Sequence, residues 1–200
     1  MGSQVWTMSL ESFRNTTIKH ATPGCGAVAA VTATHGLALI LKGLRISESK
    51  HPDDKRAALI DEGETLLERL SGHADEDIQA FEAYQDALKQ RHNDKDEQAG
   101  LDEATQRINR VPLAMAETCC EALKVTVSSL TYTNSNLKSD AIAGGVLLHA
   151  GLSAVLLTVD ANLASIEDET YRAQMRRSRH ALQEEADGKI HRLNQERDNL

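Results

Sequence analysis

The sequence predicts an all-helical protein, a mostly antiparallel bundle of five to six helices around a buried central helix. Strand signals are weak: the only β-branched cluster, KVTVSSLTYT from Lys124 to Thr133, follows directly on a helical pattern. Aromatic residues are 3% of the chain while alanine and leucine abound, which favours helices packed closely through small side chains. From Ala141 to Val159 only His149, Ser153 and Thr158 carry polar side chains. A helix apolar all round is one surrounded by neighbours or sealed in a subunit interface.

The elements follow in order. A short amphipathic helix is predicted from about Ser9 to Lys19, then a turn, HATPGCG, and a small-residue helix from Ala27 to about Arg45. Pro23 and Pro52 stand before helical patterns, where proline is tolerated. A polar linker, SESKHPDD, leads to a long helix from about Lys55 to Gln90, with its apolar stripe at Ile60, Leu67, Leu70, Ala74, Phe81, Tyr84 and Leu88. HNDKDEQAG reads as a solvated connection to a fourth helix, about Leu101 to Leu130, in which Pro112 marks a kink or a start. The central helix spans about Ser139 to Ile166 and the last one Glu169 to about Arg197. Residues 1–168 are read as the bundle, and 169–200 as an amphipathic helix that packs on or extends it.

Two hundred residues, 40% hydrophobic and 26% charged, are ample for a packed core. A formal charge of −8 argues against a protein devoted to nucleic acid. Cys25, Cys119 and Cys120 are too few and too oddly placed for a disulfide framework, and no secretory signal pattern opens the chain, so a reducing cytoplasm is expected. The apolar run approaches the ~20 residues of a membrane span. His149 in mid-run, the Gly144-Gly145 pair and the absence of a flanking basic cluster favour a core helix, and no membrane partner is expected.

Asp77 is the most informative residue. It lies three after Ala74 and four before Phe81, within the apolar stripe of its helix. A carboxylate there is costly unless paired or protonated, and burial raises its pKa; the plainer alternative is a stripe-edge aspartate leaning to solvent. Asn134, Asn136 and Asp140 precede or open the central helix, with Ser139 a candidate N-cap. These are ordinary helix-start residues, yet amides and a carboxylate can also read the donor–acceptor edge of a heterocycle. Asn162 is a further amide near the far end of that helix. Gly24 and Gly26 let the backbone approach something closely, a ligand or another helix. The eight histidines lack HExxH or Cys–His ligand spacing, so no metal is expected, and His35 and His149 read as satisfied core histidines. Cys119-Cys120 makes a poor redox couple, and YRAQMRRSRH reads as a solvated face.

Five ordered segments resemble the cyclodeaminase / methenyltetrahydrofolate cyclohydrolase family. TPGCGAVAA (Thr22 to Ala30) is similar to its PGGGS-V-A-A loop and helix, and DEDIQAFEAY (Asp75 to Tyr84) to its D-x-x-A-F segment. RVPLAMAE (Arg110 to Glu117), NSNLKSDAIAGG (Asn134 to Gly145) and TVDANLASIED (Thr158 to Asp168) resemble its V-P-L, N-x-N-x-x-S-D-A and N-V-x-x-N-L segments. The chain departs from the pattern at Cys25, at Ala27 where serine is usual, at Gly43-Leu44-Arg45 for N-L-T, at Thr158 for asparagine, and at His35 for a small residue.

The resemblance implies an all-helical homodimer that binds a one-carbon-substituted tetrahydrofolate as substrate, with no metal or redox cofactor. A methenyl bridge is an amidinium-like cation, so its hydrolysis needs a water, a base and a nearby negative charge, which one tuned carboxylate can supply. Asp77 takes that role. Gly24, Cys25 and Gly26 would form the close-approach loop, and Asn134, Asn136 and Asn162 would orient the pterin or bridging nitrogens. Asp140 would accept the pterin N–H donors, and Lys42, Arg45 or Lys138 would hold the glutamate tail. Cyclohydrolase is the expected activity, because no formiminotransferase domain is fused to the chain. Cyclodeamination, with ammonia leaving, and a non-catalytic folate-binding or assembly subunit remain the alternatives.

Overall fold

The structure, a computed structural model, describes residues 5–90 and 95–197. They form six α-helices and no strand: α1 (Leu10–Lys19), α2 (Cys25–Lys50), α3 (Asp54–Lys89), α4 (Lys95–Ser129), α5 (Lys138–Asn162) and α6 (Glu169–Arg197), with short 3-10 turns at Leu130–Tyr132, Ser135–Leu137 and Leu163–Ser165. The expected all-helical bundle is what the chain forms. The first residues of the HNDKDEQAG connection, and positions 1–4 and 198–200, lie outside the described residues.

Local chemistry sets the starts of α1, α3 and α6. The Ser9 hydroxyl accepts from Ser12 N–H at 3.0 Å, Asp53 accepts from the N–H groups of Lys55 and Arg56 at 2.9 and 3.0 Å, and Asp168 accepts from Thr170 N–H at 2.8 Å. Each satisfies helix-start donors that have no partner within the helix. For α5 the expected cap is not used. The helix begins at Lys138 with Leu137 at the cap position and no side-chain cap, and Ser139 lies exposed in the first turn.

Two boundaries differ from the sequence expectation. α2 does not stop near Arg45 but continues through SESK to Lys50. Ser47, only 1% exposed, explains this: its hydroxyl donates to Gly43 O at 2.7 Å and accepts Asn134 N–H at 2.9 Å, so a residue read as linker is an inward docking point. α4 starts earlier than expected and carries Pro112 within it. The β-branched run stays helical to Ser129, with Thr126 Oγ1 bonded back to Ala122 O at 2.7 Å.

α2 and α5 pack antiparallel at the centre. Gly36 lies against Gly144, Ala33 against Gly151, and Cys25 Sγ donates to Ala154 O at 3.4 Å. A Cβ on Gly144 would sit 2.4 Å from Gly36 O, so the glycine pair lets the two backbones touch. Leu37, Ile40, Leu44, Leu148, Leu152 and Leu156 fill the crossing with no exposure. Each such side chain contributes about 1.5–3 kcal/mol of burial. Both helices are long and apolar enough to cross a bilayer on length and composition alone, yet half or more of each apolar window (61% in α2, 50% in α5) is buried within the fold.

α3 and α4 flank this pair, also antiparallel: Arg69 bonds Glu121 at 2.6 Å and His73 bonds Thr118 at 3.1 Å. α6 lies on α4 and α5 and buries Met175, Ala186 and Leu193. His149 is not a core histidine as expected; it is partly exposed and pairs with Asp187 of α6 at 2.7 Å. His35 is exposed, bonded to Val31 O at 2.7 Å, with its ring 6.1 Å from that of Trp6.

Candidate active site

The antiparallel register brings the start of α2, the last third of α3, the first half of α4 and the end of α5 to one end of the bundle. They enclose a cavity of about 200 Å³. Asp77 reaches it from α3 and Gly24, Cys25 and Gly26 from α2, with Phe81 and Tyr84 on α3, Pro112 on α4, and Thr158 and Asn162 on α5. An open groove of about 570 Å³ adjoins it, sharing Ala21, Gly24 and Cys25 and running between α1, α2 and α5.

Asp77 is half-buried, and its Oδ2 accepts Ala27 N–H at 3.0 Å. α2 has no side-chain cap on Gly24, so the carboxyl of a neighbouring helix serves as its N-terminal acceptor. Burial pushes the Asp77 pKa above the usual carboxylate range, and the Ala27 N–H offsets part of that rise. The aspartate therefore does not lean to solvent. Gly26 shows how closely the helix start is pressed on it: a Cβ there would lie 2.0 Å from Oδ1 and 2.3 Å from Cγ. Gly26→Ala is expected to push the carboxyl out of place and, if Asp77 has the catalytic role the resemblance implies, to cut turnover about as far as loss of the group itself, ~10²–10⁴-fold. Turnover measured beside a thermal melt separates that effect from unfolding.

Pro112 and Asn162 form one device. A proline within a helix cannot donate to the carbonyl four residues earlier. That carbonyl is Ile108 O, and Asn162 Nδ2 donates to it at 2.9 Å. The amide thus answers a backbone defect created on α4 and ties the end of α5 beside the cavity. Its donor side is committed, while its residue still lines the cavity wall.

Phe81 is 37% exposed, and with Tyr84 and Pro112 it forms an aromatic and apolar wall suited to a planar ring. Sequence periodicity placed Phe81 and Leu88 on the core stripe. Instead both are exposed, and the buried positions of α3 are Gly63, Leu66, Leu70, Ala74, Ile78 and Ala80. Thr22 Oγ1 donates to Glu82 at 3.3 Å and fixes the loop before α2 against α3. Neither this contact nor the Pro112–Asn162 device was anticipated, although a proline inside a helical pattern already signals a carbonyl in need of a donor.

The other expected binding residues lie elsewhere. Asn134, Asn136, Lys138 and Asp140 are at the opposite end of α5, and Lys42 and Arg45 are towards the end of α2. From Gly26 to Lys42 is about 24 Å along α2, and from Asp140 to Asn162 about 33 Å along α5, at 1.5 Å per residue. Within one chain these residues do not face Asp77. Lys42 pairs with Asp140 at 2.6 Å, and Arg45 with Glu64. Arg56 donates to Tyr132 O at 2.6 Å and bonds Glu48 at 3.1 Å, clamping the loops at that end.

A family model described as formiminotransferase-cyclodeaminase matches residues 9–181. The chain belongs to that family. It is 32% identical to the formimidoyltransferase-cyclodeaminase of Sus scrofa over 84% of this chain, and that stretch spans 32% of the relative's length. It is 28% identical to the methenyltetrahydrofolate cyclohydrolase of Methylorubrum extorquens, over 75% of this chain and 76% of that protein. The crystal structure of formiminotetrahydrofolate cyclodeaminase from Thermotoga maritima superposes with a TM-score of 0.86 over 96% of both chains at 23% identity, a likeness of fold. The named relatives are thus enzymes of folate one-carbon chemistry, both cyclohydrolase and cyclodeaminase.

Family membership sharpens the departures noted in the sequence. Cys25 and Thr158 both line the cavity, so two of the differences from the family pattern fall where a ligand would touch. Ala27 stands beside Asp77 but contributes through its backbone N–H, which any residue except proline supplies. Gly43 packs under Thr133 and Arg45 pairs with Glu64, both at the far end.

Proposed function

We propose that this chain hydrolyses 5,10-methenyltetrahydrofolate to 10-formyltetrahydrofolate, with Asp77 as the base. One observation carries the reading: a half-buried carboxyl with a raised pKa, held to α2 by one oxygen, lines a cavity walled by Phe81, Tyr84 and Pro112. The planar cationic head of the substrate lies against the aromatic wall. Asp77 takes a proton from the attacking water as it adds to the bridge carbon, and its charge favours the amidinium-like cation. Thr158 and the side-chain oxygen of Asn162 orient the ring nitrogens. At about 200 Å³ the cavity suits the head of the molecule, and the adjoining groove takes the remainder.

Cyclodeamination is the second reading, favoured by the identity to a formimidoyltransferase-cyclodeaminase. It asks more of the site, since one carboxyl must protonate departing ammonia while the folate nitrogen attacks the formimino carbon. Asp77 is the only carboxyl on the cavity wall among the described residues, which suits the simpler demand of hydrolysis. Loss of near-ultraviolet absorbance from 5,10-methenyltetrahydrofolate follows the proposed reaction directly. Turnover confined to the formimino substrate would establish the deaminase instead. Binding without either turnover, seen as a melting shift worth roughly 2.7 kcal/mol at a hundredfold excess over Kd, would establish a non-catalytic folate binder.

We further propose that the working form is a homodimer. α5 presents Ala143, Val146, Ala150, Leu157 and Ala161 outward at helical spacing, with Val146 48% and Leu157 62% exposed. Such a stripe on the most apolar helix suits a self-complementary two-fold contact. Antiparallel pairing about its middle sets the Asp140 end of one α5 beside the Asn162 end of the other. That arrangement would carry Asn134, Asn136, Lys138, Asp140, Lys42 and Arg45 of one copy towards the partner copy's cavity, which no single chain can do. Leu157→Glu is expected to give a folded monomer with little turnover, read by sedimentation, circular dichroism and the absorbance assay. A dimeric variant with full turnover would place the interface elsewhere.

A further inference from the structure

Away from the cavity, α4 and α6 hold a cluster that the proposed reaction does not use. Cys120 is 4% exposed, and its thiol faces Leu182 O at 4.0 Å. Lys189 Nζ lies 3.7 Å from Cys120 Sγ, with the Lys189 side chain only 14% exposed. The same ammonium contacts the carboxylate of Glu185, one turn earlier on α6. A lysine head normally reaches for water; here it is held between a thiol and a carboxylate beneath a helix contact. Burial pushes the Cys120 thiol up, and the Lys189 ammonium draws it back in part, so Lys189 is the contact that favours the thiolate an oxidant needs.

We propose that Cys120 and Lys189 form an oxidative cross-link that pins α6 to α4, with a peroxide as the oxidant. The sulfur attacks one peroxide oxygen; an S–O bond forms, the O–O bond breaks, the sulfur gives up two electrons and water is released. Lys189, once it has lost its extra proton to water, then attacks the sulfenic sulfur. The S–N bond forms, the S–O bond breaks, and the leaving hydroxide takes a proton to become a second water. In sum a thiol, an amine and one peroxide give an S–N linkage and two waters.

The geometry selects this pair. Cys119 is fully buried on the neighbouring position of the same helix, and its thiol is pushed far up by desolvation. Cys25 is exposed and bonds a backbone carbonyl, Ala154 O. The consequence falls on α6, whose buried residues are Met175, Ala186 and Leu193 alone among those described. A covalent tie between residues 69 apart restricts the opened chain far more than the closed one.

The full chain, treated with hydrogen peroxide and digested without reductant, is read by mass spectrometry. The expected product is a joined pair of peptides carrying Cys120 and Lys189, lighter than their sum by two hydrogens and separated again by dithiothreitol. The oxidised protein should also melt higher. Lys189→Arg should abolish the joined species, and Cys119→Ser should retain it. Recovery of the wild-type Cys120 peptide as free thiol, or as sulfinic acid with Lys189 unjoined, would overturn the proposal. That reading needs no variant to fold.

Discussion

Asp77→Asn is expected to lower turnover by about 10²–10⁴-fold, roughly 3–5 kcal/mol of barrier, while the protein folds and still binds folate. The shape survives because the asparagine carbonyl can accept the Ala27 N–H that Asp77 accepts at 3.0 Å. Stability should move the other way. A carboxyl whose folded pKa is raised binds a proton more tightly in the folded state. Its contribution is fully present below the unfolded carboxylate pKa, about 3.9, and is lost as pH rises through the folded value. At neutral pH the wild type therefore carries the cost of a charge in a desolvating site, and the asparagine variant does not. The variant should melt higher than wild type at neutral pH, with the gap closing as the pH falls to the ordinary carboxylate range. Glu76 is the control: it is exposed and pairs with His73 at 2.9 Å, so Glu76→Gln should change turnover little. If Asp77→Asn keeps wild-type turnover across the pH range, the carboxyl is only a cap for α2 and the mechanism is wrong.

Asp77 was legible because helical period is a one-dimensional signal. The sequence places it three after Ala74 and four before Phe81; Ala74 is buried and Phe81 is exposed beside the cavity, so that spacing puts Asp77 at the edge of the buried face. The helix count was legible for the same reason. What the sequence did not carry was register between helices. Asn134 and Asn136 stand before the most apolar helix, Asp140 lies in its first turn and Asn162 ends it, so all four look alike in the sequence. The antiparallel pairing of Gly36 with Gly144 and of Cys25 with Ala154 separates them, leaving Asn162 at the cavity and the others at the far end. Register depends on which small residues meet, and two glycines in separate segments do not announce each other. Ser47 misled in a similar way: its polarity reads as linker, while the hydroxyl is spent on Gly43 O and Asn134 N–H inside the fold. Burial of a satisfied polar group has no periodic signature.

The glycine contact itself gives the largest expected effect on stability. A Cβ at Gly144 would meet Gly36 O at 2.4 Å and Ile40 Cγ1 at 2.8 Å, and a Cβ at Gly36 would meet Gly144 O at 2.6 Å. Both obstacles include backbone oxygen, which no rotamer change can move. Gly144→Ala must therefore push α2 and α5 apart, loosening the leucine and isoleucine layers on either side of the crossing. Overpacking of this kind typically costs ~1–3 kcal/mol and occasionally more, and alanine returns up to about 1 kcal/mol through helix propensity. Because the obstacle is main chain, the cost should win by about 1–2 kcal/mol, a fall in Tm of roughly 2–8 °C at about 2–4 °C per kcal/mol. Gly72→Ala tests the propensity half of the balance alone. Gly72 is exposed in α3 with nothing within 4 Å of its Cβ position, so the same substitution there should raise stability by about 0.5–1 kcal/mol. Opposite shifts in the two melts would show that the α2–α5 approach, not glycine in a helix, sets the sign. Equal upward shifts would mean that the two backbones do not touch.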